Sequence, residues 1–153
     1  MLTEESNPRT TALDSYSALE IVTAMNAEDA TVAETVRGAL PRIAQAVDAI
    51  VERLRAGGRM IYVGAGTSGR LGVLDAVECV PTFSVEPGLV IGLIAGGDVA
   101  LTEAVEGAED DRDGGRRDLD TVNASEHDAV IGIAASGRTP YVLGALDYPN
   151  AIG

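Results

Sequence analysis

Two short segments carry the residue types that hold a negatively charged group without any lysine. Gly64-Ala65-Gly66-Thr67-Ser68-Gly69-Arg70 and Ala135-Ser136-Gly137-Arg138-Thr139-Pro140 both contain the triplet Ser-Gly-Arg, at 68–70 and 136–138. Each lies where an apolar run gives way to a helix-compatible stretch. Free backbone N–H groups at a helix start, the positive end of the helix dipole and Ser/Thr hydroxyls together make an anion site. The candidate binding residues are Gly66, Thr67, Ser68 and Gly69 in the first loop, and Ser136, Gly137, Arg138 and Thr139 in the second. Either loop alone reads equally well as a tight capping turn. Two such loops converging on one ligand suit a phosphate monoester better than a pyrophosphate.

The glycines of the first loop also match G-x-G-x-x-G, so a nicotinamide-dependent oxidoreductase is a rival reading. Two features count against it. The variable pair is Thr67-Ser68, hydroxyls rather than small apolar residues. The acid expected about twenty residues on, at the tip of the second strand, has no good candidate: Glu86 precedes that strand and Asp98 lies beyond it.

The elements that must position these loops are legible from periodicity. Met60–Val63, Leu89–Ile94 and Ala129–Ala134 are short, nearly all-apolar runs, as expected for strands buried on both faces. Helix-compatible stretches follow at 69–79, 98–107 and 139–147. Strand, loop and helix three times over predict a parallel α/β sheet flanked by helices, its loops gathered at the carboxyl edge. Upstream, residues 1–16 read as a polar arm. Over 17–58, Ser17-Ala18-Leu19-Glu20 and Thr31-Val32-Ala33-Glu34 each have capping-box spacing, which predicts two helix starts in a segment packing on the domain. Pro41 either starts a further helix or kinks one long helix, and Gly57-Gly58 stops it. Residues 59–153 form the α/β domain. The acidic stretch Glu103–Asp120 reads as a solvated helix face and turn.

Composition narrows the chemistry further. The 153 residues carry 11 Lys+Arg, all arginine, against 24 Asp+Glu, for a net charge of −13. That balance argues against nucleic acid and anionic membranes as partners. Without lysine, a Schiff base and a P-loop are both excluded. One His and one Cys cannot build a structural zinc site, and Cys79 has no disulfide partner within the chain. No stretch reads as a signal peptide or a membrane span, so a cytoplasmic location is expected. His127, in Ser125-Glu126-His127-Asp128, reads as a surface turn residue, and Cys79 as a small packed side chain.

Four ordered blocks resemble the N-acetylmuramic acid 6-phosphate etherase family. They are Gly64 to Gly72, Asp75-Ala76-Val77-Glu78-Cys79-Val80-Pro81-Thr82, Ala104-Val105-Glu106-Gly107-Ala108-Glu109-Asp110 and Ile133 to Val142. Leu2 to Pro8 resembles the family's N-terminal arm. The resemblance implies a sugar-isomerase (SIS) fold, a phosphorylated amino sugar as ligand, no cofactor or metal, and a homodimer with the active site near the subunit interface. It covers about the first half of a usual family member, so the domain is expected to be partial. Pro149 departs from the pattern and is expected to break the last helix. Such a half is expected to leave an apolar face or a bare strand edge and to release little lactate alone.

By the same resemblance, the reaction eliminates D-lactate from the C3 ether and then adds water, which asks for one general acid and one general base. Glu78 is implied as the acid and Glu109 as the second catalytic carboxylate, which we assign as the base. A helix running unbroken from Ser68 places Glu78 about 15 Å from the phosphate loop, too far for a hexose 6-phosphate. Either the helix ends early or Glu78 serves the site of a neighbouring subunit, which the dimeric fold favours. A non-catalytic phosphosugar-binding regulator on the same fold would keep Ser68 and Ser136 and need neither glutamate.

Overall fold

The computed structural model describes residues 5–152, so the first four residues of the arm and Gly153 lie outside the described residues. The chain divides into two compact units between Ala49 and Ile50.

In the first unit the arm is less featureless than expected. It forms two 3-10 turns, Pro8–Thr10 and Leu13–Ser15, the first capped by the Asn7 side chain accepting from the Arg9 N–H. Helix α1 spans Ala18–Arg55. Its start is the expected capping box: the Ser17 N–H and hydroxyl donate to Glu20 Oε2 at 2.7 and 2.6 Å. The second start expected at Thr31 does not occur, because Thr31 and Thr35 turn their hydroxyls back onto the carbonyls of Glu28 and Thr31. A hydroxyl satisfied inside the preceding turn leaves the helix unbroken. Pro41 lies in its interior, so one long helix is the outcome. Val22, Met25, Val32, Val36, Leu40, Ile43 and Val47 recur at spacings of three, four or seven residues along α1, and all are exposed.

The second unit holds β1 (Met60–Gly64), α2 (Gly66–Phe83), β2 (Val90–Ile94), α3 (Arg112–Thr121), β3 (Ala129–Ile133) and α4 (Pro140–Ile152). The strands pair in parallel in the order β2-β1-β3, as their apolar runs predict. Alternation along β1 divides its side chains between two helical layers. Ile61 and Val63, both fully buried, pack with Leu119 of α3 and Tyr141, Val142 and Ala145 of α4. Tyr62 points to the opposite face, where Gly72 of α2 meets its Cβ. Its hydroxyl donates to Asp75 Oδ2 of α2 at 2.8 Å.

Two helix boundaries differ from expectation. The helix expected at 98–107 is absent. The chain after β2 makes a 3-10 turn at Gly97–Leu101, an irregular limb and a second turn at Ala108–Asp110 before α3 begins. Gly96 and Gly97 take φ of 88° and 66°, a left-handed pair that turns the chain away from an α-helical start. At the other end, α4 runs to Ile152, so the break expected at Pro149 is not found. His127 lies in an exposed turn, and Cys79 is buried, its thiol pushed up by burial and then by the Asp75 charge.

Candidate active site

All three strands end at one edge, with Gly64 of β1 in register with Ile94 of β2 and Ile133 of β3. The segments that follow them therefore share that edge. The first is extremely tight. A Cβ on Gly69 would lie 2.7 Å from both the Gly64 carbonyl oxygen and Ile94 Cγ1, so only glycine lets α2 start this close to the sheet. Gly66, the first residue of α2, has φ 54°, and Ala65 before it offers no side-chain cap. The first amide bonded inside the helix is that of Gly69, to Ala65 O at 3.1 Å. The N–H groups of Gly66, Thr67 and Ser68 precede it, at the positive end of an 18-residue helix. Thr67 is exposed and Ser68 half-buried.

The loop after β3 is more open. Ser136, Gly137 and Arg138 are exposed and Thr139 is half-buried. Ser136 Oγ accepts from the Arg138 N–H at 3.2 Å, Gly137 turns with φ 68°, and Thr139 O takes the Leu143 N–H that opens α4. Among the described residues the Arg138 guanidinium makes no hydrogen bond or ion pair, so its charge is available at the edge. Arg70 behaves differently although it ends the same triplet. Its Nε donates to Leu101 O at 3.1 Å and its Nη2 to Glu103 O at 3.0 Å. Sequence alone gave no signal for this, because both acceptors are backbone carbonyls.

A cleft of about 210 Å³ opens between the start of α2 and the limb after β2. Ala65, Gly66, Arg70 and Ala95 line one side of it, and Glu103, Glu106 and Glu109 the other. Glu109 sits in the 3-10 turn after Gly107, which turns with φ 73°. Of the candidate residues the cleft therefore joins Gly66 with Glu109. Ser68 lies on the turn of α2 just behind it, and Ser136 to Thr139 lie on the adjoining loop outside its lining. Glu103 and Glu106 join Glu109 there, although their acidic stretch predicts only a solvated face.

Glu78 is elsewhere. Helix α2 runs unbroken through it, so the early end that would have brought it near the loop does not exist. It is exposed, on the outer side of α2, with Leu71, Leu74 and Val77 around it at 57, 57 and 61% exposure. One turn before it, Asp75 accepts from Tyr62. Burial, and then this carboxylate, push the Tyr62 hydroxyl up to about 12.

A parallel sheet whose tight βα loops offer amides and hydroxyls at one edge is shared by open α/β folds, the SIS class among them. The chain belongs to that class: residues 42–150 match the family of the glucokinase regulatory protein N-terminal SIS domain. Over all 153 residues it is 56% identical to an N-acetylmuramic acid 6-phosphate etherase of Caldanaerobacter subterraneus subsp. tengcongensis and 58% identical to one of Brucella anthropi. It is 55% identical to the etherase of Escherichia coli O1:K1 / APEC. The chain spans about half the length of these relatives, 50, 50 and 51% respectively. Among the described residues no helix is long and apolar enough to cross a membrane.

Proposed function

We propose that this chain supplies the first half of a cytoplasmic lyase that cleaves the D-lactyl ether of N-acetylmuramic acid 6-phosphate, giving N-acetylglucosamine 6-phosphate and D-lactate. The observation that carries the reading is the cleft that joins Gly66, at the start of α2, to Glu109. The relatives bear the name of that activity. The 6-phosphate takes the free amides of Gly66, Thr67 and Ser68 with the Thr67 and Ser68 hydroxyls, over the close turn that Gly69 permits, and the Ser136 to Thr139 loop, with Arg138 as its counter-charge.

In the open-chain sugar the C1 aldehyde acidifies the C2 proton. Glu109 takes that proton, the electron pair forms a C2–C3 double bond, and the C3–oxygen bond breaks as Glu78 gives its proton to the departing lactate oxygen. Water then adds at C3, returning a proton to Glu78, while Glu109 reprotonates C2. No cofactor enters. Since a hexose phosphate does not span from the α2 start to Glu78, the acid serves the site of a second copy in a homodimer. The exposed Leu71, Leu74 and Val77 around Glu78 support that placement, for an apolar rim is what a subunit contact would cover.

A second reading has one observation in its favour: the matched family is described by a regulatory protein's domain. A phosphosugar-binding regulator would use the loops and neither glutamate. Deuterium entry at C2 of N-acetylglucosamine 6-phosphate in heavy water separates the two, because the proposed base and both loops lie within this chain. Exchange above the buffer rate supports the lyase. Binding without exchange supports the regulator.

A further inference from the structure

The limb from Gly96 to Asp111 carries Glu109, and its middle, residues 101 to 107, has little to hold it. Its regular structure is limited to the two 3-10 turns, and every residue from 101 to 107 is exposed. Packing holds its two ends, where Ala100 is buried and Ala108 lies against the core, and adds the Val105 side chain closing on Gly96, where an added Cβ would meet it at 2.9 Å. The hydrogen bonds that tie the limb to α2 both come from Arg70, to Leu101 O and Glu103 O. Arg70 stands in the second turn of α2, directly after the Thr67-Ser68-Gly69 loop, and lines the same cleft as Gly66 and Glu109.

We infer that Arg70 is a positioning residue, bracing the limb so that Glu109 is held at a fixed distance from the α2 start; the catalytic side of this rests on the proposed role of Glu109. A planar guanidinium can reach two carbonyls two residues apart with separate donors, which a single ammonium cannot do in the same geometry. The two acceptors are main-chain atoms, so the brace fixes the limb's backbone rather than one side chain. It also explains why the two Ser-Gly-Arg triplets differ: Arg138 is left free at the edge, whereas Arg70 is committed to the limb. Without the brace Glu109 is misplaced against the sugar, and a displacement of about 1 Å at a reacting group costs on the order of 100-fold in rate. The phosphate loop is built on β1 and α2 and is left as it was.

The test compares wild type, Arg70→Gln and Arg70→Lys in this chain by two measurements. Amide hydrogen exchange over residues 102–109 reads the brace. Deuterium entry at C2 of N-acetylglucosamine 6-phosphate reads the position of Glu109. In Arg70→Gln, exchange of the limb amides rises about tenfold or more while β1 and α2 keep their protection. The turnover number of C2 exchange falls by roughly 10- to 100-fold with KM nearly unchanged, the pattern of a displaced catalytic group. Arg70→Lys keeps the charge and restores neither fully. If wild type gives no C2 exchange but the limb loosens in Arg70→Gln, the brace stands and the role of Glu109 fails. Limb amides as protected in both variants as in wild type, or full recovery in Arg70→Lys, would overturn the inference.

Discussion

Asp128 and Arg59 lock the amino ends of β1 and β3 together. The Arg59 backbone N–H and Nε donate to Asp128 Oδ1 at 2.8 and 3.1 Å, and its Nη2 donates to Oδ2 at 2.8 Å. The same guanidinium holds the carbonyls of Val122 and Asn123 at the end of α3. Burial of Asp128 opposes its ionisation, but hydrogen bonds from Arg59 and the Ser125 N–H outweigh it, and the carboxyl lies at about 2.

Acid stability follows from that pair. A carboxyl with a lowered folded-state value contributes stability above its unfolded value and loses it as pH falls toward the folded one. For Asp128, from 3.8 to about 2, the contribution is about 2 kcal/mol, present near neutrality and lost between about pH 5 and pH 2. Asp128→Asn should lower stability at neutral pH by roughly 2–4 kcal/mol, since Arg59 loses its counter-charge, and flatten the acid limb. Denaturant unfolding across that pH range checks both.

The paired loops make a binding prediction. Ser68→Ala and Ser136→Ala should each weaken phosphosugar binding by roughly 1–3 kcal/mol, the worth of a hydrogen bond to a charged group. Because they share one ligand, the double variant should depart from the sum. Calorimetric titration with N-acetylglucosamine 6-phosphate measures this. Unchanged affinity in both single variants removes the phosphate site.

The carboxylates separate by isotope. Glu109→Gln should abolish deuterium entry at C2, whereas Glu78→Gln should leave it in place and block lactate loss, because an amide cannot donate the proton. The opposite pattern by mass spectrometry would reverse the two roles.

The outer face of α2 predicts an association phenotype. Leu74→Glu puts a charge in the exposed apolar patch beside Glu78 and should shift a dimer toward monomer without unfolding the sheet, whose core does not include Leu74. Sedimentation velocity reports it. A wild-type chain that is monomeric at all concentrations would place the acid's partner site elsewhere.

Much of this architecture was legible in the residues. Three short apolar runs specified three parallel strands, because a sheet covered by helices on both faces leaves no polar alternation. The loops were legible because helix starts over such strands carry recognisable types. What failed were boundaries set by backbone conformation. Left-handed Gly96 and Gly97 replaced the helix expected at 98–107, and Thr31 folded its hydroxyl inward instead of capping. The work of Arg70 was illegible for a related reason: its acceptors are carbonyls 31 and 33 residues further on, and a carbonyl has no residue type to read. The separation of Glu78 from the phosphate loop, by contrast, followed from helix rise alone.

Lyase chemistry built on these loops and glutamates is tested most directly by a chimaera in which this chain replaces the matching half of the Caldanaerobacter relative, incubated with N-acetylmuramic acid 6-phosphate and assayed for D-lactate. The expected result is stoichiometric lactate and N-acetylglucosamine 6-phosphate, lost in Glu78→Gln and in Glu109→Gln while substrate binding persists. A folded chimaera that binds the substrate and releases no lactate, or one that releases it undiminished in both variants, would rule that chemistry out.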